Sequence, residues 1–216
     1  MINNVYPFRP LRRRPPPSGW LAVYRRLWSD RLDRLVTYVA TLNSKTGEPE
    51  MSDLSFEYPK DAPLMITTRT FDAPRALVWK CFSEREHIAR WFGPKSISPV
   101  IRVEAFDFRP GGKWRYVTQR PDGSETIVFF GTFKEIVRPE KIVNTFAVEG
   151  LYPENEHLTE THSFEDRGER TFYRAVSNLG SIEMRDGVAA SGMERGARES
   201  MAQLAELLAE LKEHAR

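Results

Sequence analysis

The chain nearly lacks cysteine: Cys81 is the only one in 216 residues. No internal disulfide can form, which fits a reducing compartment. With Leu77, Val78 and Phe82 around it, that thiol reads as buried and inert rather than reactive. Long hydrophobic runs are missing too. Nothing approaches the roughly 18 to 20 apolar residues of a membrane span, and the basic N-terminus has no signal-peptide core, so a cytoplasmic protein is expected. His87, His157, His162 and His214 show no metal-ligand spacing, and no metal or cofactor is expected. Arg109-Pro-Gly-Gly112 lacks the Lys-Ser/Thr of a phosphate loop. No Gly-x-Ser-x-Gly nucleophile motif occurs.

An excess of charge of one sign is also absent overall, with a net +2. The distribution is uneven: residues 1–50 carry nine Lys/Arg against four Asp/Glu, and the remainder 23 against 26. The main body therefore gives no reason to expect a nucleic-acid partner. Residues 1–19, with Arg12 to Arg14 followed by Pro15 to Pro17, predict a disordered arm. Leu21, Tyr24, Trp28, Leu32, Leu35, Val39 and Leu42 predict an isolated amphipathic helix over 20–42, and 43–63 reads as a linker. Within that helix, Tyr24-Arg-Arg-Leu-Trp28 and its continuation to Tyr38 resemble the tail helix of small winged-helix repressors of the arsenic-regulator type. The DNA-reading part of those repressors is missing. This region is expected to be an upstream remnant, with a shorter product beginning at Met51.

From residue 64 the pattern is continuous. Strands are predicted at 64–71, 99–108, 112–120, 126–136, 141–149, 158–166 and 170–178 from β-branched and aromatic runs separated by turn residues such as Pro121-Asp-Gly123 and Asp166-Arg-Gly168. Two short helices are predicted between the first and second strands. Asp72-Ala-Pro74 would start one, and Ser83 with Glu86 would form a capping box for the other. Residues 184–212 read as one long amphipathic helix, its apolar stripe formed by Met193, Ala197, Met201, Leu204, Leu208 and Leu211. Such a stripe needs a partner, and the sheet is the natural one. Gly192 and Gly196 would bare the helix surface there.

Several spaced motifs carry a resemblance. Phe71-Asp-Ala-Pro74, Arg90-Trp-Phe-Gly-Pro94, Phe108-Arg-Pro-Gly-Gly112 with Trp114, Gly131-Thr-Phe-Lys-Glu-Ile136 and Ser191-Gly-Met193 look like the C-terminal domain of the activator of the ninety-kilodalton heat-shock chaperone ATPase, in the START-like (SRPBCC) superfamily. The resemblance spans about residues 64–213. It implies an α+β helix-grip fold: a curved antiparallel seven-stranded sheet around a long C-terminal helix, with two short helices after the first strand and a cavity between sheet and helix.

Alternation places Trp114 and Tyr116 on one strand face, Glu160 and His162 on another, and Tyr173 on the next, all inward. Trp91 and Phe92 end the second short helix, and Met184, Met193 and Ala197 lie along the first half of the long one. These ten residues are the candidate ligand-binding set; no catalytic residue is assigned. Three readings of Glu160 and His162 stay open: a solvated pair near a sheet edge, contacts for a polar ligand group, or an acid/base pair. The expected function is binding of a small hydrophobic or amphipathic molecule. One alternative, implied by the resemblance, is co-regulation of a chaperone ATPase in a stress response; another is a cyclase- or hydrolase-type enzyme using Glu160 and His162.

Overall fold

Alternating apolar and polar residues over seven successive segments leave the chain little choice but a meander whose inner face must be covered. The computed structural model describes residues 54–150 and 158–214; the predicted arm over 1–19 and helix over 20–42 lie outside them. In order the elements are β1 (Ser55–Glu57), β2 (Leu64–Phe71), α1 (Arg75–Ser83), α2 (Arg85–Trp91), β3 (Val100–Phe106), β4 (Lys113–Gln119), β5 (Thr126–Val137), β6 (Lys141–Val148), β7 (Leu158–Arg167), β8 (Arg170–Asn178), α3 (Ile182–Ala190) and α4 (Met193–His214). The sheet order is β1-β2-β8-β7-β6-β5-β4-β3, with every neighbouring pair antiparallel.

The α+β class is as expected, with one strand more. β1 falls inside the stretch read as a linker and pairs with β2, Ser55 opposite Thr68. Three residues carry no detectable alternation, so this edge strand exists by virtue of its partner. Its loop is fastened from the far side. The buried Arg185 of α3 donates from Nη1 to the carbonyls of Pro59, Lys60 (3.1 Å) and Ala62 (2.9 Å). Tyr58 donates to Glu194 at 3.0 Å, and Arg198 reaches the Leu54 carbonyl at 3.3 Å.

Three local expectations are corrected. Asp72 does not cap α1: its carboxylate pairs with Arg170 at 2.8 Å, and α1 follows Pro74 with no side-chain cap. Ser83 ends α1 rather than opening α2, which follows Glu84. The long helix is two helices. Gly192 takes φ +79°, a left-handed turn that terminates α3. Ser191 completes the stop, donating from Oγ to the Val188 carbonyl at 2.7 Å and accepting from the Met193 amide at 3.3 Å.

The buried face of α4 is also rotated from the predicted stripe. Gly196, Ser200, Gln203, Leu204, Leu207 and Leu208 are buried, while Ala197, Met201 and Leu211 are only partly so. The helix approaches α1 and α2 more closely than it does the sheet. The main core is aromatic: Phe82 stands 4.8 Å from Trp91, 5.0 Å from Phe164 and 5.4 Å from Tyr173, ring centre to ring centre. Such pairs each add about 0.5–1.5 kcal/mol beyond the area they bury. No helix among the described residues is long and apolar enough to cross a membrane.

Candidate functional site

A cavity of about 70 Å³ lies between the sheet and the two short helices. Phe82, Ile88 and Trp91 of α1 and α2, with Phe92 just beyond, form its roof. That roof is held in place from α4. Gln203 donates from Nε2 to the carbonyls of Trp91 and Gly93, both at 3.1 Å, and accepts the Lys95 amide at 2.8 Å. A buried amide side chain with all these partners present is the arrangement a buried polar group requires.

On the sheet side, β4 contributes Trp114 and Tyr116. Trp114 pairs in register with Gly131, and a Cβ at 131 would stand 2.7 Å from the indole Cε2 and Cζ2 and 1.9 Å from the Thr145 carbonyl oxygen. Only a glycine lets the indole settle over the β5 backbone. The indole N–H is buried and meets no acceptor among the described residues. Tyr116 is buried, which pushes its phenol pKa up.

The polar part of the wall lies across β6, β7 and β8. Asn144 stands opposite Glu160, and Glu160 opposite Ser177, in one cross-strand row. Asn144 Nδ2 donates to Glu160 Oε2 at 3.4 Å, Ser177 Oγ donates to Oε1 at 3.2 Å, and His162 Nε2 lies 3.7 Å from Oε2. The other imidazole nitrogen, Nδ1, shares a 2.8 Å hydrogen bond with the hydroxyl of the fully buried Tyr173. Burial pushes the Glu160 carboxyl pKa up, but the neighbouring imidazole and the two neutral donors outweigh it, and the result lies below the usual carboxylate range. Burial and the Glu160 charge both push Tyr173 up, so it remains a phenol and a fixed hydrogen-bond partner.

Six of the ten residues named from the sequence meet here: Trp91, Phe92, Trp114, Tyr116, Glu160 and His162 line the cavity. Tyr173 sits one layer behind, reaching it through His162. Met184 and Met193 do not line it; they pack on a second cluster built from Ile127, Val148, Leu158, Leu179 and Val188. Ala197 is half-buried on α4 and does not line it either. No residue of α4 lines the cavity, which is roofed by α1 and α2; α4 supports that roof through Gln203. Sequence reading missed Asn144, Ser177 and Gln203. The first was findable, since it is the one polar residue in the alternation Ile142, Asn144, Phe146. The partners of the other two depend on tertiary placement.

Chemically, the site offers an anion, an imidazole and an amide in an aromatic enclosure. Among the described residues no group of three or more His, Cys, Asp or Glu side chains could hold a metal, and no free thiol or hydroxyl nucleophile lines the cavity beyond the Tyr116 phenol.

The comparisons with known proteins agree with this architecture. The solution structure of a protein from Arthrobacter aurescens is 28% identical over 72% of this chain and 91% of that one, with a TM-score of 0.64. A crystal structure of protein NE0264 from Nitrosomonas europaea is 26% identical over 69% and 96%, with a TM-score of 0.61. A Rhodobacter sphaeroides protein, 22% identical over 73% and 99% with a TM-score of 0.64, shares the fold. Among curated proteins none matches. The sequence profile described as "Activator of Hsp90 ATPase homolog 1-like protein" matches residues 72–209, from the turn before α1 to within a few residues of the end of α4. The chain thus belongs to the Activator of Hsp90 ATPase homolog 1-like family and has its START-like fold.

Proposed function

We propose that the protein binds a small molecule with an apolar body and one polar end in the cavity between the sheet and α1–α2. The observation that carries this reading is Glu160, a carboxylate held in its charged form on the wall of a largely aromatic cavity. A buried charge is expensive unless satisfied, and the contacts to Glu160 from Asn144, Ser177 and His162 are all 3.2 Å or longer. At about 70 Å³ the cavity is smaller than the roughly 300–1,000 Å³ of drug-sized sites, so it has room for the polar end and not for a whole drug-sized molecule.

Native mass spectrometry of protein purified from its own cells tests this. A co-purifying small molecule, lost in Glu160→Ala together with the added thermal stability that ligand gives, is the expected result. A consistently empty protein with no thermal shift across a library of small aromatic and amphipathic compounds would overturn it.

A second reading comes from the family description, which names activation of the Hsp90 ATPase. In that reading the protein co-regulates a chaperone, and it predicts that the full chain changes the ATPase rate of the host's own chaperone of this class. An unchanged rate at saturating protein removes it.

A further inference from the structure

The cavity's lining says more about the polar end than that it is polar. We propose that it is a small organic cation, an alkyl- or arylalkyl-ammonium head, received by the Glu160 carboxylate and surrounded by the rings of Phe82, Trp91, Phe92, Trp114, Tyr116 and Phe146. This rests on the ligand-binding reading above and specifies its chemistry.

Three observations carry it. The first is spare acceptor capacity. An ionised carboxylate offers about four lone-pair sites, and charge-assisted bonds to it run about 2.7–2.9 Å. The two donors reaching Glu160 stand at 3.2 and 3.4 Å and the imidazole at 3.7 Å, so a closer donor has room to bind. The second is the company that carboxylate keeps. Most of the residues that line the cavity with it are aromatic, and ring faces attract a desolvated cation where a neutral group gains only contact. The third is the charge balance of the wall. Among the described residues no lysine or arginine lines the cavity. Its one basic group, His162, has Nδ1 engaged by Tyr173 and presents only Nε2 toward Glu160. An anionic ligand would bring a second negative charge beside Glu160 with a single imidazole to offset both. A neutral hydroxyl would use one acceptor site and leave the ring faces idle. An ammonium head uses the carboxylate and the rings together.

Benzylammonium, benzyl alcohol and benzoate share one ring and differ in the charge of the head, so titrating the full chain with each at neutral pH, by calorimetry and tryptophan fluorescence, isolates the proposal. The expected ranking is benzylammonium tightest, by roughly tenfold over the alcohol, with benzoate not binding. Glu160→Gln should remove the ammonium's advantage over the alcohol. His162→Gln, which retains the carboxylate, should keep the ammonium preference; this second variant decides the matter if Glu160→Gln does not fold. Alcohol binding as tight as ammonium, or an ammonium preference that survives Glu160→Gln, overturns the cation while leaving the ligand-binding reading standing. Failure of all three probes to bind also overturns the cation, and the ligand-binding reading then stands or falls on the native mass spectrometry and thermal-shift library above.

Discussion

The inside of the sheet is divided into two unlike halves. Under α1 and α2 it is aromatic, with Trp79, Phe82, Trp91, Trp114, Tyr116, Phe164 and Tyr173 in one cluster. Under α3 it is aliphatic and sulfur-bearing, with Val148, Leu158, Leu179 and Val188 joined by Met65, Met184 and Met193. Phe129 and Phe146 touch both clusters and form the partition. The aromatic half contains the cavity and the buried carboxylate; flat rigid rings leave angular gaps that flexible thioether and branched aliphatic chains would fill. One half is organised for packing alone, and the other gives up some packing to keep space around a charge.

The sharpest break of this division is Phe82→Ala, which removes a roof ring at the centre of the aromatic half. A loss of about 3–5 kcal/mol in urea unfolding is expected, with ligand affinity lost as well. Leu179→Ala in the other half should cost about 2–4 kcal/mol while leaving affinity for any cavity ligand unchanged. If affinity falls with it, the halves are one unit. Gly131→Ala tests the partition from the sheet side: the added methyl must displace the Trp114 indole or the β6 backbone, costing about 1–3 kcal/mol and shifting the tryptophan emission. Gln203→Leu leaves the Lys95 amide and two carbonyls of the roof unpaired, for about 1–3 kcal/mol; hydrogen exchange should rise at residues 91–95 and not in α3.

The smallest effect is that of acid. Glu160 has its folded pKa below the usual value, whereas the unfolded chain returns it to about 4.3. Its charged form therefore adds stability that is complete above about pH 4.3 and is lost as the pH falls through the folded value. Melting temperatures between pH 6 and pH 3 should decline less steeply in Glu160→Gln than in wild type. Equal slopes would mean that the carboxylate is not held in its charged form by the fold.

The aromatic half was largely readable from alternation: Trp114 and Tyr116 two apart, Glu160 and His162 two apart, with Trp91 and Phe92 ending a short helix. What alternation does not carry is which helix lies over which strands. Leu204, Leu207 and Leu208 announce a buried face, but how that face meets α1 and α2 depends on how three helices pack together, and so Met184, Met193 and Ala197 were expected to share the lining although they lie outside it. The break at Gly192 escaped because a glycine in a helical pattern reads as a weak helix residue until its backbone angle is known. Glu160 could be placed on the inner face from sequence, whereas its partners Asn144 and Ser177 follow from strand register, which pairing sets.

Arg185 bears on where the domain starts. The family profile begins at residue 72, yet this buried guanidinium is satisfied by carbonyls at 59, 60 and 62. A chain cut to the family boundary would keep the arginine and its Asp186 ion pair, at 2.7 Å, but lose the three carbonyls that its Nη1 donates to. The packing of this chain therefore reaches upstream of the stretch that the family shares.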